Sequence, residues 1–430
     1  MNNIFFDDIK ELISWIEKQR RFSPKVSLDK MNYYLSLFDN PHEKFKSIHV
    51  TGTNGKGSVV SFIKTTLMEA GFNVATFTSP YIIKFNERIC YNDQMISDED
   101  LLNISNLIIS KYDLIVENGY ELPSFFEFCT LIAFIYYSHL KDLDIVIVEV
   151  GMGGRLDSTN VITPLLSIIT NISLEHTNIL GSTLEEIGKE KLGIVKENSY
   201  LITGNIDSSL YPLFEEHCNS KNAKWIKSLP REFEIIKQDI YSSQIRLDKI
   251  LFEIGLSGNH QIENMICAYT ALNILKSLNK KWNLALTSEI YSRGFKKTKW
   301  QGRLEIVSDD PLIVIDGCHN LDGVQRVCEF VSKLNYHFKR AVISISADKD
   351  KEKMLSILNK SFDELVFTRY TYSRSASEED LYQLSNHQNK KMIPSVDDAI
   401  KYCIENKCEF TLFLGSLYLA SEVRNIMKPL

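Results

Sequence analysis

No apolar stretch in these 430 residues approaches the ~20 residues of a membrane span. The opening, Met1-Asn2-Asn3-Ile4-Phe5-Phe6-Asp7-Asp8, lacks a basic segment ahead of an apolar core, so it does not read as a targeting signal and a cytoplasmic protein is expected. Paired cysteines are also missing. The eight thiols (Cys90, Cys129, Cys218, Cys267, Cys318, Cys328, Cys403 and Cys408) show no C-x-x-C spacing, which favours buried or inert thiols over disulfides or a zinc site. Nor is there a surplus of basic residues. A formal net charge of −6 argues against a general nucleic-acid surface and leaves room for a local basic pocket that takes anionic substrates. Internal repeats and low-complexity tracts are absent. What is present is an ordinary globular composition, 44% hydrophobic and 24% charged, in a chain long enough to favour two domains.

The most informative segment is Thr51-Gly52-Thr53-Asn54-Gly55-Lys56-Gly57-Ser58, which follows the apolar run Ser47-Ile48-His49-Val50 and precedes a helical pattern from Val59 to Ala70. A phosphate-binding loop needs that context. Glycines let backbone N–H groups converge on phosphate oxygens at a helix N-terminus, Lys56 adds a point charge, and Ser58 can reach a magnesium ion. The spacing is one residue shorter than the common G-x-x-x-x-G-K-[ST] form, and Gly57 separates the lysine from the serine.

Amphipathic helices are expected near Asp7–Arg20 and Leu28–Phe38, ahead of the loop, with βα alternation after it. Asn73–Phe77, Asp144–Val150 and Leu165–Thr170 read as strands, the last two with the near-continuous apolar character of a buried parallel sheet; Asp98–Asn118 and Ser124–Leu140 read as helices. Between about Ala223 and Gly255 the period falls toward two, predicting an antiparallel appendage, and helical patterns resume at Gln261–Ser277 and Thr287–Arg293. After Trp300 the alternation restarts, with strands at Leu312–Ile315, Ala341–Ile345, Glu364–Phe367, Lys391–Ile393 and Phe410–Leu414. The predicted fold class is therefore α/β: a three-layer phosphate-loop ATPase domain with a parallel sheet over residues 1–299, appendage included. A smaller doubly wound, Rossmann-like α/β domain follows over 300–430.

In Ile145-Val146-Ile147-Val148-Glu149-Val150-Gly151, a carboxylate ends a buried strand. That is costly unless it is paired or metal-bound, so Glu149 is a candidate magnesium ligand, with loop capping as the alternative. His176, after another strand end, could ligate a metal or sit as an ordinary surface histidine. Lys191 reads on composition as one more charge on a helix beside Glu185, Glu186, Lys189 and Glu190, and an ammonium cannot bind magnesium. Asp316 can accept from ribose hydroxyls or cap a helix.

These segments occur in an order that resembles folylpolyglutamate synthases and their bifunctional relatives, which also act as dihydrofolate synthases, within the Mur ligase superfamily. The carriers are Thr51–Ser58, Phe77-Thr78-Ser79-Pro80, Phe125–Thr130, Glu149–Asn160, His176-Thr177-x-x-Leu180-Gly181, Glu190-Lys191, Gly258-x-His260-Gln261-x-x-Asn264, Trp300-x-Gly302-Arg303-Leu304-Glu305, Asp316-Gly317-x-His319-Asn320, Asp348-Lys349-Asp350 and Gly415–Leu419. They span about Lys30 to Arg424.

The resemblance implies an ATP- and Mg²⁺-dependent ligase. It places ATP on Thr53, Asn54, Gly55, Lys56, Gly57 and Ser58, with Asn264, Arg303, Asp316 and His319 from elsewhere in the chain. It places magnesium at Ser58, Ser79, Glu149 and His176, with Lys191 as a carbamate, an anionic partner that an ammonium is not. Lys56, Glu149, His176 and Lys191 are thereby the catalytic set, and Phe125, Phe126, Glu127 and Arg155, with the Leu28–Met31 helix, form a pterin-binding wall. Tyr81 departs from the histidine usual after Ser-Pro, Cys318 from a small alanine, and Ser373–Ala376 from a Pro-Arg-Ala pattern. The expected activity joins L-glutamate to a folate, and to dihydropteroate as well, through an acyl phosphate, in a monomer that takes small-molecule substrates and neither nucleic acid nor membrane. The loop alone would also suit another phosphoryl-transferring enzyme, and the two-domain plan a nucleotide-regulated binding protein; glutamate-dependent ADP release separates them.

Overall fold

Strands that are apolar on both faces require a sheet covered on both sides, and the first unit, Met1–Arg231 with Glu263–Phe295, is built around one. Residues 4–20 and 27–428 are described here by a computed structural model. The sheet consists of β1 (Ser47–Thr51), β2 (Val74–Phe77), β3 (Ile89–Tyr91), β4 (Gln94–Met95), β5 (Ile145–Glu149), β6 (Leu166–Asn171), β7 (Tyr200–Asn205) and β8 (Lys224–Lys227), in the order β4-β3-β2-β5-β1-β6-β7-β8. Strands β2, β5, β1, β6, β7 and β8 are parallel, and β3 and β4 add an antiparallel edge. All residues of β1, β5 and β6 are buried.

The early helices are α1 (Ile9–Glu17), α2 (Leu28–Ser36), α3 (Lys56–Glu69), α4 (Asp98–Ile109), α5 (Tyr112–Glu117) and α6 (Phe125–Ser138). Then come α7 (Thr177–Leu180), α8 (Leu184–Leu192), α9 (Tyr211–Ser220), α10 (Asn259–Leu278), α11 (Lys280–Ala285) and α12 (Ser288–Lys297). Leu12, Leu35, Ile104 and Phe128, from α1, α2, α4 and α6, share one core with Phe77 and Val148. Ile187 and Phe214, from α8 and α9, share another with Ile169 and Leu201. The single helix expected over Asp98–Asn118 is instead two. Ser110 closes α4 with its hydroxyl on the Leu107 carbonyl, the local side-chain bond by which serine competes with helix continuation.

The second unit comprises Glu232–Ile262 and Lys296–Leu430. Strands β9 (Phe233–Gln238), β10 (Ser243–Leu247) and β11 (Ile250–Ile254) form an antiparallel sheet. A second sheet contains β12 (Glu305–Asp309), β13 (Leu312–Ile315), β14 (Lys339–Ile343), β15 (Glu364–Arg369), β16 (Lys390–Ser395) and β17 (Phe410–Leu414), in the order β12-β13-β17-β14-β15-β16. Only β12 is antiparallel. Helices α13 (Leu321–Val331), α14 (Lys351–Ser361), α15 (Glu378–Leu384), α16 (Val396–Glu405) and α17 (Leu417–Met427) alternate with these strands.

The domain division over 1–299 and 300–430 is corrected in one respect. The antiparallel strands do not group with the first unit, because Ile240, between β9 and β10, is buried in one core with Leu304, Leu312 and Leu334. Lys224–Lys227, read as part of that appendage, is the parallel edge strand β8 of the large sheet.

One buried ion pair lies within the second sheet. The Nε of Arg340 donates to Glu364 Oε2 at 2.5 Å, both side chains are 4% exposed, and Tyr402 Oη donates to the other oxygen at 2.8 Å. Burial pushes the Glu364 carboxyl up, but these donors outweigh it and hold the group below its usual range. A depressed carboxylate stabilises the fold at neutral pH and loses that contribution as pH falls through its folded value. Glu364→Gln leaves the guanidinium without its counter-charge and is expected to cost about 3 kcal/mol at pH 7. Urea melts should show that deficit shrinking as the pH is lowered below 4.

Candidate active site

The phosphate loop is shaped by contacts that only glycine permits. Gly55, at the N-cap of α3, has φ +82°, and a Cβ there would lie 2.3 Å from Asn264 Oδ1. A Cβ on Gly52 would lie 1.8 Å from Thr170 Oγ1. The loop is also tied to the end of β6: Thr53 N donates to Asn171 O (3.1 Å), Asn54 N to Asn171 Oδ1 (2.8 Å), and Thr170 Oγ1 to Asn54 O (2.5 Å). Lys56 Nζ donates to the carbonyls of Gly52 (3.0 Å) and Thr53 (3.2 Å). Ser58 is buried, and its Oγ has no hydrogen-bond partner, so a donor atom stands ready on the first turn of a 14-residue helix.

Parallel pairing brings the other residues to this end of the sheet. Val50 lies opposite Glu149, so the strand that enters the loop runs beside the strand that ends in the carboxylate. Glu149 is 4% exposed, and its Oε2 accepts from the Ser79 backbone N–H at 3.1 Å. His176 caps α7 in the left-handed conformation, φ +51°, with Nε2 4.0 Å from Glu175 Oε1. Lys191, on α8, is 3% exposed. Desolvation chiefly, then repulsion from Lys56, lowers its ammonium to about 7, against the opposing attraction of Glu175. A lysine near neutrality carries a nucleophilic free amine, the form that takes up CO₂.

Among the described residues, no group of three His, Cys, Asp or Glu side chains gathers as a ready-made metal cage. Magnesium does not need one, because it takes one or two protein oxygens and completes its shell with water and substrate phosphate. The unpartnered buried Ser58 Oγ and the nearly buried Glu149 are donors that fit such an ion.

A cavity of about 530 Å³ opens beside this region, and all four wall residues expected from the sequence line it. Phe126 stacks on Phe77 with ring centroids 5.6 Å apart, and Phe125 stands next to it at the start of α6. Leu28 and Met31 of α2 line the same space, as do Ser79 and Gly151, which join it to the Glu149 end of the sheet. Glu127 and Arg155 are already engaged. Glu127 accepts from Ser124 N at 2.8 Å and pairs with Lys30 at 2.9 Å. Arg155 donates from Nη2 (2.8 Å) and Nε (3.1 Å) to Glu190 Oε1. Tyr81 donates its hydroxyl to Glu17.

Two lining residues were not singled out from the sequence. Asp157 accepts from Thr159 N and Met152 N, both at 3.0 Å, and desolvation raises its carboxyl. Arg88 is 6% exposed and lies against the rings of Tyr81, Phe85 and Phe125. Asp157 falls inside the Glu149–Asn160 segment but was given no role of its own there, and Arg88 stands in no pattern that betrays it, because Phe125 reaches it only through the fold.

In the second unit, Arg303, Asp316 and His319 gather at the end of β13. Both oxygens of Asp316 are occupied, Oδ1 by Cys318 N (2.8 Å) and Oδ2 by Leu304 N (2.9 Å). His319 Nδ1 lies 2.9 Å from Gly317 O. His260, in the same unit, is half-buried, and desolvation lowers its imidazole to about 4. The loose Ser373–Ala376 motif meets Asp348-Lys349-Asp350 directly, with Arg374 Nη2 3.0 Å from Asp348 Oδ2. Asn264 lies in the first unit, beside Gly55.

Residues 50–272 match the Mur ligase middle domain, and residues 302–416 match the Mur ligase glutamate ligase domain. The dihydrofolate synthase/folylpolyglutamate synthase of Bacillus subtilis (strain 168) is 36% identical, over 98% of this chain and 100% of that protein. The crystal structure of folylpolyglutamate synthase from Thermotoga maritima superposes with a TM-score of 0.84 at 29% identity, covering 97% of this chain and 96% of that one. A folylpolyglutamate synthase complexed with AMPPCP and folate gives a TM-score of 0.82 at 28% identity, covering 98% and 100%. No helix among the described residues is long and apolar enough to cross a membrane. With both halves matched and near-complete coverage of a relative above 30% identity, the chain belongs to the Mur ligase superfamily, in its dihydrofolate synthase/folylpolyglutamate synthase family of ATP-dependent amide ligases.

Proposed function

We propose that this protein joins L-glutamate to a folate, and to dihydropteroate, through an acyl phosphate, with ADP and phosphate as co-products. The observation that carries this reading is the continuity of the aromatic cavity with the Ser79–Glu149 end of the sheet, where the phosphate loop also ends. A flat acceptor lying against Phe125 and Phe126 directs its carboxylate toward the triphosphate.

The first step transfers the γ-phosphoryl group: an acceptor carboxylate oxygen attacks phosphorus and the bond to ADP breaks. In the second, the neutral amine of glutamate attacks the acyl carbon, the amine proton is lost and phosphate leaves. Backbone N–H groups at the start of α3 orient the phosphates. Lys56 exchanges its two loop carbonyls for phosphate oxygens and offsets charge on the transferred group. Ser58, Ser79, Glu149 and His176 would hold a magnesium ion, which would supply further neutralisation of that charge. Lys191 contributes as a carbamate, formed by attack of its free amine on CO₂ with loss of one proton. The apolar cavity wall limits water, which would hydrolyse the acyl phosphate. Nucleotide roles for Asn264, Arg303, Asp316 and His319 rest on the family pattern alone, as does a monomeric state.

Glu149→Gln preserves shape and removes charge. Turnover at saturating magnesium should fall by at least ~100-fold, as when one preorganised electrostatic element is lost; near-normal rates would remove Glu149 from the site. Lys191→Ala should be almost inactive and regain part of its activity with acetate, and intact-mass spectra of the wild type in bicarbonate should carry one added CO₂. An unmodified, fully active protein would refute the carbamate. ADP release should require glutamate and should occur both with dihydropteroate and with a reduced folate. Turnover with the folate alone would restrict the enzyme to polyglutamylation, and release without glutamate would favour another phosphoryl transferase.

A further inference from the structure

The charged residues lining the cavity are Arg88, Glu127, Arg155, Asp157 and Glu190. Four are matched within the protein. Glu127 pairs with Lys30, Arg155 with Glu190, and Asp157 accepts from backbone N–H groups and a threonine hydroxyl. Arg88 is the exception. Its side chain is more than nine-tenths buried, its Nε has no hydrogen-bond partner, and no carboxylate among the described residues pairs with it. Its guanidinium carbon lies 5.2 Å from the Tyr81 ring centroid, 5.6 Å from that of Phe85 and 5.2 Å from that of Phe125. Ring faces steady a cation but leave its in-plane N–H groups unused.

A buried guanidinium cannot shed its proton as Lys191 can, so its charge is permanent. Its backbone lies close to the reacting end: Arg88 O accepts from Thr78 N at 2.9 Å, and the backbone N–H of the next residue, Ser79, donates to Glu149. What such a group lacks is a planar oxyanion, and a carboxylate matches its fork in geometry and charge.

We propose that Arg88 is the carboxylate anchor of the acceptor pocket, receiving a carboxylate of the pteroyl or folyl substrate from between the rings of Tyr81, Phe85 and Phe125. This rests on the ligase reading above. The aromatic clamp fixes the orientation of the fork before the substrate arrives, so little side-chain entropy is lost on binding. The paired Arg155 and Lys30 cannot take the role without breaking ion pairs.

The test measures dissociation constants by calorimetry on the full chain for dihydropteroate, its neutral carboxamide, a reduced folate and ATP. The wild type should prefer dihydropteroate over the carboxamide by about 10- to 100-fold, the range of a charge-assisted hydrogen bond to a buried group. Arg88→Met, of similar length and apolar enough for the aromatic clamp, should reduce that preference below about threefold, with ATP affinity unchanged. Arg88→Lys should fall between them. A loss confined to the folate would assign the anchor to the carboxylate that dihydropteroate lacks. An undiminished preference in Arg88→Met together with unweakened folate binding overturns the proposal, as does equal weakening of acid, carboxamide and folate. If Arg88→Met loses ATP binding through misfolding, Arg88→Lys decides, and a wild-type preference there overturns the proposal. Failure of the wild type to bind any acceptor while binding ATP would overturn the ligase reading itself.

Discussion

Positive charge withdrawn from water is the constraint that organises the first unit. An unpaired cation loses its hydration on burial and must neutralise, find dipoles or wait for an anion. Three residues show three answers. Lys56 turns onto the carbonyls of its own loop. Lys191, desolvated by deeper burial and repelled by Lys56, drops to about 7 and so carries a share of free amine at neutral pH. Arg88 can do neither and lies against ring faces. Lys56 and Arg88 are relieved by the arrival of negative charge, so a site built this way favours anionic substrates before any specific contact forms.

Topology places these groups together. In a parallel sheet the strand ends that carry loops into helices all lie on one edge, and β1, central between β5 and β6, delivers the phosphate loop there. Glu149 arrives on β5, and Thr170 and Asn171 arrive on β6 to hold the loop backbone. The 3-10 turn Phe85–Arg88, which leads into the antiparallel β3, adds Arg88 on the other side of β2. The close approaches at Gly52 and Gly55 therefore follow from neighbouring strands pressing on one loop, and a side chain at either position would collide with Thr170 or Asn264.

Much of this was legible in the chain. Buried parallel strands announce themselves by unbroken apolar character, and the loop by glycines at a strand–helix junction, so β1, β5, β6 and α3 fall where the pattern puts them. Shorter or more polar edge elements do not: β3, β4, β8 and β12 are edge or near-edge strands whose pairing, not composition, makes them strands. The grouping of Glu232–Ile262 with the second unit was equally hidden, because it depends on where Ile240 is buried. Lys191 looked like a surface charge, since helical composition says nothing about which face is covered. Arg88 was invisible for the same reason, since one of its three rings, Phe125, lies 37 residues away in sequence and meets it only through the fold.

Those differences bear on how the cavity wall divides its labour. Glu127 and Arg155 were expected to meet the pterin, yet each is held in an ion pair, Glu127 with Lys30 and Arg155 with Glu190. A paired side chain offers an entering ligand a fixed shape and little net charge, and recruiting it as a primary anchor would expose its former partner. Phe125 and Phe126 supply flat apolar surface, which holds any planar ring without distinguishing its substituents. Discrimination between an acid and its neutral analogue therefore falls on a group with unused hydrogen-bonding capacity and a charge it cannot lose, and in this wall Arg88 has both.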